Sequence, residues 1–104
     1  ERGLRLVAYE AGQHLVGHGG AENNKVLEDL FHAANRHPRM RELYLDYLAG
    51  WRQNGGTMAA IFSSLGAGSK WGSWGLMEYH DQPAAEAPKY QAVIEFLDQN
   101  PRWW

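Results

Sequence analysis

The apolar positions of this chain fall into runs of two kinds. Leu4, Leu6, Val7, Ala8 and Tyr9 form a short, nearly continuous run, interrupted by Arg5, that suits a buried strand. Val26, Leu27, Leu30, Phe31 and Ala34 recur at helical spacing and mark one face of a helix. The clearest stripe is Met40, Leu43, Tyr44, Tyr47, Leu48 and Trp51, which predicts a second helix with all six on its core face. The stretch TMAAIF (57–62) reads as a second buried strand, and Tyr90, Val93, Ile94 and Leu97 line one face of a last helix.

The residues between the runs set the boundaries. EAGQHLVGHGGAENN (10–24) holds four glycines and no period, which makes it a loop, and Asn23 or Asn24 can cap the helix that follows. NRHP ends that helix, because the residue before proline avoids helical backbone, and Pro38 opens the next. QNGG (53–56) stops the second helix, with Gly55 or Gly56 as the left-handed cap. A long loop rich in glycine, serine and tryptophan follows the second strand, with GLMEY (75–79) as an extended piece inside it.

Strands that alternate with helices predict (βα) units and a parallel strand pair. The expected class is therefore α/β, two (βα) units with three to four helices in one small domain spanning 1–104. A lone parallel pair has two open edges, and parallel sheets are normally covered on both faces. Helices enough for one face only predict that the pair requires more strands. They come from a preceding N-terminal part or from copies of the chain, so a homo-oligomer is expected.

Length and charge narrow the partners. At 104 residues there is room for one domain with a limited core. The net charge of −2, with both signs interspersed, gives no footprint for nucleic acid or an anionic membrane. No apolar run approaches the roughly 20 residues that span a bilayer. The absence of cysteine excludes disulfides and thiolate chemistry. Five tryptophans and five tyrosines are the anomaly, since both favour recognition surfaces. A first residue Glu1, with no methionine, reads as a processed product or a piece of something longer.

Two stretches carry a family resemblance. LVAYEAGQHL (6–15) resembles the end of strand seven in retaining glycoside hydrolases with a (β/α)8 barrel, where a glutamate after an apolar strand is the nucleophile. KWGSWGLMEYHDQ (70–82) with APKYQAVIEFL (87–97) resembles the strand-eight loop and last helix of such proteins, whose aromatic residues line the sugar site. Bacterial barrels described as cellulose-binding proteins carry a similar Tyr-Glu-Gly-Gly-Gln stretch, with Ala11 here in place of its first glycine. The resemblance covers most of the chain but about a quarter of a barrel. It implies a polysaccharide ligand of the β-glucan or cellulose class, an extracellular or periplasmic location, and Glu10 as candidate nucleophile. No cofactor and no metal are expected.

In such barrels the site lies in loops at the C-terminal ends of the strands. Glycosidases pair two carboxyls, about 5–5.5 Å apart in retaining enzymes and about 6.5–9.5 Å in inverting ones. Glu78 and Asp81 are the nearby carboxylates here, while the family's acid/base comes from an earlier strand. Trp71 and Trp74 suit stacking on the apolar face of a pyranose, one exposed and the other packed beneath the loop. Tyr9, Gln13, Glu78 and Tyr79 offer polar handles, or serve as strand-end packing. His14 and His18, four apart, lie in a glycine-rich loop, so helical metal spacing fails and His14 is better read as bonding to sugar. The cluster of His32, Arg36, His37, Arg39 and Arg41 reads as a solvated basic corner. Trp103 and Trp104 are a plug over exposed core or a contact to another subunit. Three function classes remain: a carbohydrate binder using the Trp-rich loop, a catalytic segment of a glycoside hydrolase with Glu10 as nucleophile, and a (βα)2 assembly unit.

Overall fold

In the computed structural model, which describes residues 2–104, the first apolar run becomes strand β1 (Leu6–Ala11). Asn24 opens helix α1 (Lys25–Arg36), its side-chain oxygen accepting from the backbone N–H groups of Val26 and Leu27. Helix α2 (Arg39–Gln53) starts after Pro38. Gly55, at φ +83°, turns the chain into strand β2 (Gly56–Ile61). A long aromatic loop then leads to helix α3 (Pro88–Gln99), with proline in the first turn.

β1 and β2 pair in parallel, Leu6 opposite Gly56, Ala8 opposite Ala59 and Ala11 opposite Ile61, with irregularities between these pairs. The α/β class with two parallel strands and three helices is the architecture expected of two (βα) units. Gly56 is obligatory for close approach: a Cβ there would lie 2.2 Å from the Trp51 ring. The core gathers Met40 and Tyr44 of α2 around Ala92 of α3, with Leu15, Ile61, Leu76 and Val93 partly buried against them.

Several expected core positions are wet, for one physical reason. α2 buries Met40, Tyr44 and Leu48, the single row that meets α3, whereas Leu43 and Tyr47 are exposed on a flank that nothing covers. Val26 and Leu30 of α1 are likewise exposed while Leu27 and Phe31 are half-buried. On α3 the buried row is Lys89, Ala92 and Phe96, one position round from the expected stripe, and Ile94 and Leu97 face out. β1 is not a buried strand: Leu6 and Val7 are exposed, as is Leu4 just before it, and Tyr9 is 90% exposed. The radius of gyration, 15.0 Å, exceeds the roughly 13 Å of a compact domain of about 100 residues.

The aromatic loop is ordered by its own backbone. Ser63 N–H donates to the Trp74 carbonyl and Leu76 N–H to the Ser63 carbonyl, each at 2.8 Å, and Ser69 and Gly72 close a tight turn. The expected extended piece at 75–79 reduces to one bridge, between Leu65 and Met77. At the C-terminus Trp103 is a plug, its indole N–H donating to the Gly56 carbonyl at 3.0 Å and its ring edge-on to Phe96. The basic cluster separates into partners: Arg36 meets Glu78, Arg41 meets Glu95, and His32 Nε2 lies 3.2 Å from the Ser69 carbonyl.

Candidate functional site

β1 delivers Tyr9, Glu10 and Ala11 to the C-terminal end of the strand pair, and Gly12 turns the chain there at φ +139°. A Cβ on Gly12 would sit 3.3 Å from the Phe62 carbonyl, so this glycine also lets the two strand ends approach. Among the described residues only glycines have positive φ, so the turn needs Gly12 alone and Ala11 fits as the last residue of the strand. Gln13 follows and is held at three atoms. Its backbone N–H donates to the Tyr44 hydroxyl at 3.1 Å, its Oε1 accepts from Leu15 N–H at 2.7 Å, and its Nε2 donates to the Ser73 carbonyl at 2.8 Å. Gln13 therefore ties the loops together, which differs from the free polar handle expected of it. Burial raises the pKa of Tyr44 above the usual phenol value, and its contact with the Gln13 N–H opposes the rise.

The two tryptophans diverge. Trp74 is half-buried, with its indole N–H donating to the Trp71 carbonyl at 3.0 Å. Its ring stacks on His14, centroids 5.0 Å apart at 29°, and meets Phe62 edge-on. Trp71 is 60% exposed, and Lys70 lies over its ring at 4.7 Å while also donating to Asn23. Gly72, at φ +126°, fixes the Trp74 ring: a Cβ there would lie 2.4 Å from it. Gly72→Ala should therefore displace Trp74 and destabilise the chain by about 1–2 kcal/mol. A lowered thermal midpoint and altered tryptophan emission would register both effects.

Tyr9, Glu10, Gln13, His14, Phe62 and Trp74 line an open cleft of about 360 Å³. Four of these were expected ligand contacts, Glu10 was the candidate nucleophile, and Phe62 was missed. The remaining expected residues lie elsewhere. Glu78 lines a separate small cavity and accepts from Arg36 Nε at 2.9 and 3.2 Å, and Tyr79, His80 and Asp81 are exposed on the turn beyond it. Glu10 is the one carboxylate among the described residues that line the cleft. No group of three metal-ligating side chains occurs among the described residues.

Fold and site together define a small α/β protein of two (βα) units, with an aromatic cleft at the C-terminal ends of its parallel strands. Comparison of the chain with protein-family models, curated proteins and solved structures finds no match.

Sequence reading also missed Lys89. It is the second residue of α3, in the row of Ala92 and Phe96, and is 4% exposed. That helical spacing was the available signal. Burial lowers its pKa to about 8 from an ordinary value of 10.5, with the Glu78 carboxylate pulling the other way. The folded chain thus releases this proton first as pH rises, and between those values the unfolded chain holds more protons. Stability therefore grows with pH across that window, by at most about 1.4 kcal/mol per pH unit, and the gain is lost as pH falls through 8. Urea midpoints should climb from pH 8 towards 10 and stay flat in Lys89→Met.

Proposed function

We propose that this protein binds polysaccharide of the β-glucan or cellulose class, with Trp74 as the central stacking surface. The observation that carries the reading is the cleft itself. The Trp74 ring, stacked on His14 and edge-on to Phe62, lines an open groove together with the exposed Tyr9 and the carboxylate of Glu10. Aromatic faces with a few polar neighbours suit pyranose rings, which offer an apolar face and a rim of hydroxyls. Binding is favoured over hydrolysis, because glycosidase chemistry requires a second carboxyl opposite the first. Glu10 has no such partner among the described residues of the cleft. Affinity electrophoresis against soluble β-glucan, xylan and mannan tests the proposal. Retardation by one of them, and its loss on removing Trp74, supports it; no retardation by any of them sinks it.

A second reading, assembly through the strand pair, rests on a separate observation. Leu4, Leu6, Val7, Met58 and Phe62 are all exposed on the strands and their ends. The accessible surface is 7166 Å², against about 5,900 Å² for a monomer of this mass by the usual scaling. The excess is larger than the roughly 800 Å² that each partner buries in a standard interface. In this reading copies of the chain complete the sheet. The two readings are compatible, since further strands would enlarge the same end of the sheet.

A further inference from the structure

The carbonyl of Ser73, one residue before Trp74, accepts two hydrogen bonds. One comes from Gln13 Nε2 at 2.8 Å, on the cleft side, and the other from Lys89 Nζ at 2.6 Å, from α3 behind it. The same ammonium donates to Asn35 Oδ1 on α1 at 2.9 Å. Asn35 is itself buried, and its Nδ2 donates to the Phe31 carbonyl at 2.9 Å, which turns its oxygen towards the lysine. One cation thus joins two helices to the loop at a carbonyl adjacent to the stacking ring. Charged groups that line the small cavity beside Lys89 are Arg36 of α1, Glu78 of the loop and Glu86 of the turn before α3. Glu78 is engaged by Arg36, so the partners of Lys89 are two neutral carbonyls.

An apolar side chain would complete the Ala92 and Phe96 row at lower desolvation cost, because a buried charge is unfavourable unless it is paired and bonded. The return for placing lysine there is geometric. Charge-assisted bonds are shorter and stronger than neutral ones; here one fastens the loop to α3 at the Ser73 carbonyl and the other fastens α1 to the same ammonium. Resting on the reading of the cleft as a sugar site, we propose that Lys89 is a positioning residue for polysaccharide binding. Its ammonium anchors the Ser73 carbonyl and so sets where the Trp74 ring and Gln13 meet the ligand.

The test compares Lys89→Met with Lys89→Met/Asn35→Leu in the full chain. The single variant leaves the Asn35 carbonyl without its donor, and the double variant removes both polar ends at similar volume. Two readouts are taken: affinity for the polysaccharide that retards the wild-type chain, and the Trp74 indole N–H cross-peak in the absence of sugar, assigned with Trp74→Phe. The expected result is a double variant with a wild-type thermal midpoint, a displaced Trp74 cross-peak and at least tenfold weaker binding. Recovery of affinity together with the midpoint would assign Lys89 to stability alone and overturn the proposal. Should the wild-type chain bind no polysaccharide, the sugar reading fails and the cross-peak decides the role of Lys89. A displaced peak keeps it as the residue that holds Trp74, and an unmoved one removes it.

Discussion

Trp74→Ala is expected to abolish retardation by the polysaccharide ligand, whereas Trp71→Ala should weaken it by a few fold. The difference follows from how each ring is held. Trp74 is fixed by its own N–H bond, by stacking on His14 and by the Phe62 edge, so it loses little entropy when a sugar ring covers it. Trp71 is exposed, with one face already against Lys70. Central, pre-organised aromatic residues are those whose truncation costs about 2 kcal/mol or more, roughly a thirtyfold loss. Glu10→Gln is the control within the same cleft. In a binder it should change affinity little, because the amide keeps the shape of the carboxyl group and one acceptor oxygen, and its N–H can bond a sugar hydroxyl in place of the other. A chain in which Trp71→Ala cost more than Trp74→Ala would place the sugar outside the strand-end cleft and contradict the proposed function.

The thermal midpoint should rise with protein concentration, and Val7→Asp/Leu6→Asp should remove that dependence. Folding that is linked to association gains stability by mass action, so a tenfold dilution lowers the midpoint of an assembling chain and leaves a monomer unchanged. Leu6 and Val7 point to opposite faces of β1, and both are about half exposed in the single chain. Covering each apolar side chain is worth roughly 1.5–3 kcal/mol, so replacing both with charges should weaken association by about a hundredfold or more. Size-exclusion elution at two concentrations gives the same answer independently. A wild-type chain with a concentration-independent midpoint and a monomer's elution volume would rule out self-assembly.

The element order and the parallel pairing were legible in the sequence because they depend on local signals. Asn24 as cap, Pro38 as opener and Gly55 as left-handed stop act within a turn or two of where they stand, and each does so in the fold. The end of β1 was also legible, which is why Tyr9, Glu10, Gln13 and His14 come together as the residues that follow a strand. Glu78 and Tyr79 were less legible. They lie only a few residues beyond Trp74, yet the turn after Met77 carries Glu78 to Arg36 instead of to the cleft.

Which side of each helix is buried could not be read from apolar spacing alone. Leu43 and Tyr47 fit the stripe of α2 as well as Tyr44 does, but only the row that meets α3 finds a partner. On α3 the apolar count favoured Tyr90, Val93, Ile94 and Leu97. The actual row includes a lysine, tolerated because Asn35 and Ser73, distant in sequence, supply two acceptors at one point. By itself the sequence determined the elements, their order and the strand end that carries Glu10. Only the tertiary structure decided that Trp74 belongs to the cleft while Trp71 does not, and that a buried cation stands behind it. Local signals act through backbone dihedrals and neighbouring side chains, whereas burial depends on which surfaces remain to be covered.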